Sequence, residues 1–396
     1  MHPILARAQE LKDSTVGWRR DLHKHPELGF QEVRTAAMVA SELQRLGYRV
    51  QQGVGKTGVV GTLKGKKPGP CILLRFDMDA LPIQEDTGAE YASITSGVMH
   101  ACGHDGHVAV GLTVANLLVE QVDSIQGTIK LVFQPAEEGL GGAAAMINDG
   151  VLQNPRPNAA LGLHLWNGEP VGWAAITAGP FMASADIFNV KISGKGGHGA
   201  LPQNTADPLL AGAMVVNALQ SVVSRNVSPL QSAVISVTQF QGGTSFNIIP
   251  DEVALSGTVR TFETELHELV LQRMRAVIEG VSASLGCQAK IEVIELTPAV
   301  VNAVEVVEAV QMAAFSIEPG IVLDSTHRST ASEDMSLFLQ AVPGCFFFVG
   351  SGQKDPAKRF GHHHPKFDID EDALPLAAAI MTQAALSMLE KLTGEQ

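Results

Sequence analysis

The side chains best suited to chemistry in this chain sit in short clusters framed by glycine or proline. The densest is MHACGHDGH (99–107), where Cys102 and His104 stand two residues apart, just before a helical stretch. A thiolate and an imidazole this close on a turn can hold one metal ion or two neighbouring ones. The spacing is not that of a zinc finger, because no second Cys/His pair follows at finger distance. Taken alone, the cluster also fits a buried Cys beside a helix-capping His, or a Cys/His nucleophile pair. QPAEEG (134–139) sets Glu137 beside Glu138. One carboxylate of such a pair can bind metal while the other moves protons, an arrangement suited to amide hydrolysis by metal-activated water. DMDALP (77–82) offers Asp77 and Asp79 on the same side of an extended segment, where one could orient a ligating imidazole. GHHHP (361–365) puts three histidines in a loop near the C-terminus, of which one is expected as a ligand. His164 closes the apolar run ALGLHL (160–165). Sulfur, imidazole and carboxylate donors suit zinc, manganese, cobalt or nickel better than calcium or magnesium.

Three further groups lie between these clusters. GKGGHGALP (194–202) surrounds His198 with glycines, which leaves its imidazole exposed, although the same pattern fits a flexible hairpin. GGTSFNIIP (242–250) and GTVRTF (257–262) bring Asn247 and Arg260. The Arg fork matches a carboxylate, while an Arg on a strand equally fits a surface position.

These groups need elements to hold them. CILLRF (71–76), TIKLVF (128–133) and ALGLHL (160–165) are short continuous apolar runs, as expected of strands buried on both faces. Helical segments alternate with them, at 31–46 and from His104 to about Val122. This order predicts an α/β domain with a mainly parallel sheet sandwiched by helices. Each strand leads straight into ionisable residues, and in open α/β sheets the site lies beyond the carboxyl ends of the strands. Residues 183–295 read differently, as βαββαβ, the split ferredoxin-like α+β unit. The expected organisation is a discontinuous domain, 1–182 plus 296–396, carrying the clusters, with an inserted domain at 183–295.

Composition narrows the function classes. The chain has 396 residues, more than one hydrophobic core usually serves, and a formal net charge of −13. An acidic chain with no Lys/Arg run lacks the footprint for nucleic acid or an anionic membrane surface. Neither a signal-like apolar segment at the N-terminus nor a run of about 18 apolar residues is present, which makes a cytoplasmic location the expectation. The four cysteines are widely spaced and form no disulfide framework, leaving a thiol available as a ligand.

Together WRRDLHKHPELGFQE (18–32), DMDALPIQE (77–85), GVMHACGHDGH (97–107), QPAEEG (134–139), GLHLW (162–166), GKGGHGALPQNTADP (194–208), VRTF (259–262), SEDMS (332–336) and HHHPKFDIDE (362–371) resemble the M20 metallopeptidases. The branch most similar is that of aminoacylase, hippurate hydrolase and auxin-conjugate hydrolase. The resemblance spans almost the whole chain in the family's order. It implies a zinc-exopeptidase-like fold and two divalent metal ions per subunit, held by Cys102, His104, Glu138, His164 and His363, with Cys102 bridging. It further implies Glu137 as general base, Asp79 as a supporting acid and His198 as an oxyanion-stabilising group often presented by the partner subunit. Asn247 and Arg260 become substrate contacts, and the inserted domain a dimerisation domain of a homodimer or homotetramer. The implied activity is hydrolysis of small N-acyl amino acids. A carboxypeptidase or dipeptidase with the same site, a thiol hydrolase and a non-catalytic binding protein are the alternatives.

Overall fold

The computed structural model describes residues 1–394. The chain divides into two compact units, one made of Met1–Phe181, Val301–Arg328 and the chain from Asp334, the other of Met182–Val300 and Ser329–Glu333. The short piece Ser329–Glu333 is a second contribution to the smaller unit, which the sequence pattern did not announce.

The larger unit is built on an eight-stranded sheet. In chain order its strands are β1 (Arg49–Val54), β2 (Gly58–Lys64), β3 (Lys67–Asp77), β4 (Gln126–Gln134), β5 (Ala159–Pro170), β6 (Trp173–Ala175), β7 (Val322–Asp324) and β8 (Gly344–Gly352). In space they run β1-β2-β4-β3-β5-β8-β6-β7. The centre, β4-β3-β5-β8, is parallel, while β1, β2 and β6 join antiparallel. Buried Ile72, Leu74, Leu131, Phe133, Leu161 and Phe347 fill the strands, as the continuous apolar runs require.

Four helices matter most for the site: α1 (Lys12–Lys24), α2 (His104–Val119), α3 (Gly142–Asn148) and α4 (Ala373–Thr393). Helix α2 is buried along nearly its whole length. Gly111 lets it lie close on the sheet, since a Cβ there would stand 2.8 Å from the rings of Phe76 and Phe133. Its start is set by Gly103, whose φ of +91° suits glycine. Helix α4 is long and apolar enough to cross a membrane by length and composition, yet 78% of its most apolar window is buried in the protein. Its hydrophobicity is that of a core helix packed among Ile72, Val110 and Val310.

The smaller unit holds a four-stranded antiparallel sheet in the order Ala233–Gly242, Glu252–Thr261, Ala185–Ser193, Gln288–Thr297. Helices Pro208–Asn226 and Thr264–Ser284 cover it. This is the ferredoxin-like arrangement of a βαββαβ unit. Asp207 caps the first helix by accepting from the backbone N–H groups of Leu209 and Leu210, with Pro208 at the first helical position.

Candidate metal centre

The carboxyl ends of β3 and β4 and His164, midway along β5, deliver ionisable groups to one edge of the sheet, and the start of α2 and the loop at His363 meet them there. Cys102, His104 and His164 offer ligand atoms all within 4.8 Å of one another, and so do Cys102, Glu138 and His363. Cys102 belongs to both sets, which is the geometry a bridging ligand needs. Cys102 Sγ lies 3.4 Å from His164 Nε2, and Glu138 Oε1 lies 3.2 Å from His363 Nε2. Glu137 comes within 4.8 Å of His104 and Glu138 without joining the Cys102 sets.

Hydrogen bonds aim these side chains. His104 Nδ1–H donates to the carbonyl of Asp79 at 2.9 Å, with Asp79 Oδ1 at 3.3 Å. Because that carbonyl can only accept, Nδ1 keeps its proton and Nε2 is the nitrogen that can give a lone pair once deprotonated; it is buried without a hydrogen-bond partner, 3.8 Å from Asp77 Oδ2. His164 Nδ1–H donates to Leu165 O at 3.0 Å, so its Nε2 also faces inward as an acceptor. Asp79 Oδ2 accepts the backbone N–H of Glu138 at 3.0 Å and so fixes the Glu137–Glu138 loop. On the other side of that loop Glu32 accepts the N–H of Ala136, whose φ is +54°. His363 has a φ of +65°, and its N–H donates to Ala101 O at 2.7 Å, tying the C-terminal loop to the Cys102 turn. Non-glycine residues at positive φ persist where surroundings impose them, often at functional sites.

His362 is half-buried, and its Nε2–H donates to Leu165 O at 3.2 Å. His364 is exposed and stacks on Phe360. Of the three consecutive histidines only His363 therefore reaches the ligand cluster.

A second set of titratable groups lies beneath the centre, and its members are committed to one another. Asp77, His104 and His107 come within ligand distance, but His107 has no lone pair to give: Nδ1–H donates to Asp77 Oδ1 at 2.5 Å and Nε2 accepts the N–H of Leu165 at 2.9 Å. Asp77 Oδ2 takes Arg75 Nη1 at 2.5 Å. Arg75 also reaches Gln134 and Asp334, each at 2.8 Å, and Asp334 accepts the N–H of Ala143 at the start of α3. Nearby, buried Arg19 binds Asp105 at 2.8 Å, Asp368 at 2.6 Å and Glu371 at 3.1 Å, and His23 Nδ1 binds Asp105 at 2.8 Å. These clamps fix the first turn of α2 next to His104. Composition and spacing did not single out Arg75, His107, Asp334 or Arg19, although a charged residue inside the apolar run CILLRF was a signal.

The electrostatics favour a cation. Burial opposes charge on His104, but Asp77, Asp79 and Glu138 outweigh it and hold the imidazolium up to about 10. Burial, then Glu138, Glu137 and Asp77, push the Cys102 thiol well up. His164 is held neutral by burial and by the neighbouring histidines His107 and His362. Acids gathered round a thiol that they keep protonated form a hole for positive charge. Divalent ions would displace the protons from Cys102 and His104. The donor set, the unpartnered Nε2 of His104 and the shared sulfur fit a pair of such ions.

In the smaller unit His198 is exposed on the two-residue strand Gly197–His198, which pairs with Ile248–Ile249. Gly199 N–H donates to Asn247 O at 2.8 Å, so His198 and Asn247 are neighbours. His198 Nδ1 accepts the N–H of Ala200 at 3.1 Å, which places the donor proton on Nε2. Arg260 is half-buried at the other end of strand Glu252–Thr261, bonded to Thr258 Oγ1 and to Val259 O at 3.0 Å. Burial lowers its pKa, with Asp186 opposing.

Residues 73–387 match the Peptidase family M20/M25/M40. The chain belongs to the M20 family. This M20 hydrolase is 41% identical to the N-acetylcysteine deacetylase of Bacillus subtilis (strain 168), over 95% of this chain and 97% of that one. It is 39% identical to thermostable carboxypeptidase 1 of Saccharolobus solfataricus, over 97% of each. Among solved structures, the YXEP protein of Bacillus subtilis, described as a dinuclear metal binding peptidase from the M20 family, superposes with a TM-score of 0.85 at 36% identity. That alignment covers 96% of this chain and 99% of the other. The M20 hydrolase is thus a metal-dependent amidohydrolase with a mixed α/β fold of the family type.

Proposed function

We propose that this M20 hydrolase cleaves the amide bond of N-acyl-L-amino acids, releasing a carboxylic acid and an amino acid. The observation that carries this reading is the division of labour at 137–138. Glu138 shares a ligand cluster with Cys102 and His363, while Glu137 stands beside it outside both Cys102 sets. Cys102, His104, Glu138, His164 and His363 would hold two divalent ions, zinc, manganese, cobalt or nickel by donor type. When bound, the ions supply Lewis acidity for the attacking water and the scissile carbonyl. Glu137 takes the proton of that water and passes it to the leaving amine. Asp79 keeps His104 and the Glu138 backbone in place. His198 Nε2–H donates to the developing oxyanion, and Asn247 and Arg260 hold the carboxylate of the amino-acid part.

Asn247 and His198 lie beyond one end of the strand Glu252–Thr261 and Arg260 near the other, roughly 25 Å apart at about 3.3 Å per residue. One substrate meets both ends only if two copies of the smaller unit contribute. The reading therefore includes a homodimer or homotetramer, in which Arg260 comes from one copy and His198 with Asn247 from the next. Leu209, Leu210 and Met214 are exposed on the helix Pro208–Asn226, and Phe240 on the edge strand beside it, which supports association there. A reducing compartment, the cytoplasm, keeps the Cys102 thiol available; all four cysteines are unpaired.

The S. solfataricus relative supports a second reading, a carboxypeptidase or dipeptidase with the same site. A panel of N-acetyl and N-benzoyl amino acids set against dipeptides and C-terminal peptides separates the two. Faster turnover of the acyl amino acids is expected. Activity confined to peptides would overturn the proposal, and activity that survives chelation would point to thiol chemistry at Cys102 instead.

A further inference from the structure

A cavity of about 620 Å³ lies away from the metal centre, over the outer strands of the large sheet and under the loop that follows α3. Its floor is basic by construction. Arg49 on β1 pairs with Thr62 on β2, and Thr62 with Lys130 on β4, so these three form one cross-strand row. Lys64 pairs with Thr128 in the next row on the same face. Arg49, Lys64 and Lys130 thus converge on one cavity, and none has a carboxylate partner among the described residues. The single acid in the lining, Asp149, is engaged by the N–H of Gly55 at 2.7 Å.

Lys130 is the telling member. It is 3% exposed, and its Nζ donates to Val151 O at 3.0 Å and Gln153 O at 2.5 Å. An ammonium has three donors, so one remains after the two carbonyls. Burial lowers its pKa, with only the Cys71 thiol opposing. A buried cation without a counter-charge is costly, and three like charges facing one cavity repel one another. An anion in the cavity offsets both. The volume is that of a small-molecule site. Lys130 precedes Gln134 by four residues on β4, which separates the cavity from the metal-binding end of the strand by roughly 13 Å.

We propose that this cavity binds a small organic dianion, its phosphate or carboxylate groups set on Arg49, Lys64 and Lys130. Nothing in the hydrolytic reading requires such a site. The probes are glucose 6-phosphate for a phosphate monoester and glutarate for a dicarboxylate, titrated calorimetrically into the full-length, metal-loaded protein. One of them is expected to bind at one site per chain, more weakly as salt is raised. The variant Arg49→Gln/Lys64→Gln should lose about tenfold or more in affinity while hydrolysis of the acyl amino acid is unchanged. Lys130→Met, if it folds, should lose at least as much. Failure of both probes to bind the wild type overturns the proposal. So does wild-type affinity in Arg49→Gln/Lys64→Gln, or binding that disappears when the metals are removed, since either places the anion elsewhere.

Discussion

Two groups of ionisable residues lie side by side in the larger unit, alike in composition and different in satisfaction. In the lower group, Arg75, Asp77 and His107 spend their donors and acceptors on one another, on Gln134 and Asp334, and on the backbone of Leu165. In the upper group, His104 and His164 each spend one nitrogen on a carbonyl and keep the other off the backbone, and His104 Nε2 has no hydrogen-bond partner. A buried polar atom left unpaired costs roughly 1–3 kcal/mol, so its persistence points to a missing partner. The contrast separates clamp from ligand more sharply than residue type does, since Asp77, His104 and His107 sit within ligand distance of each other.

Glu137 stands at the border between ligand and base. Glu137→Ala should lower kcat by about 10²–10⁴-fold while metal content measured by elemental analysis stays at the wild-type level. Loss of metal in this variant would move Glu137 into the ligand set. The lower group is tested by Arg75→Met, which strands Asp77 and Asp334 as buried charges. Unfolding in urea should show a loss of about 3–5 kcal/mol. A variant of unchanged stability would mean the clamp is not structural.

Asp79→Asn sharpens the boundary between the groups, because Asp79 touches both His104 and the Glu138 backbone. Metal affinity, measured by competition with a chelator, should fall about 10–100-fold. The smallest effect expected is on pH dependence. Burial holds His100 and His362 down to about 4, below the usual value of about 6.5. The unfolded chain therefore binds more protons than the fold between those values, and stability should fall as pH drops from about 6.5 to 4. Melting temperature recorded across that window checks the sign; a rise on acidification would contradict it.

Much of the upper group stood out in sequence because each member closes an apolar run or sits in a Gly-framed turn, although the strand that carries His164 continues to Pro170. Their place beyond apolar runs made Cys102, His104, Glu138 and His164 candidates by the rule that α/β sheets carry their sites at the carboxyl ends, but only the resemblance named them as ligands. His363 could be told from His362 and His364 by resemblance, and the backbone bond to Ala101 gives the physical reason. The lower group was harder to read because its bonds join distant segments, such as Arg75 to Asp334. Helix α1 was hidden for a related cause. Its buried face is Thr15, Arg19, Leu22 and His23, an ionic face with little apolar periodicity. The short strands β6 and β7 have three residues each and leave no pattern to find. The basic cavity floor depends on register between β1, β2 and β4, which no local signal fixes.

Whether Cys102 is shared by two ions can be seen by anomalous diffraction from crystals of the metal-loaded protein. Two peaks per chain are expected, about 3.5–4 Å apart, each at about 2.3 Å from Cys102 Sγ if the metal is zinc. One peak should also contact His104 and His164, and the other Glu138 and His363, with Glu137 bound to neither. A single peak, or a pair that leaves Cys102 uncoordinated, would contradict this sharing.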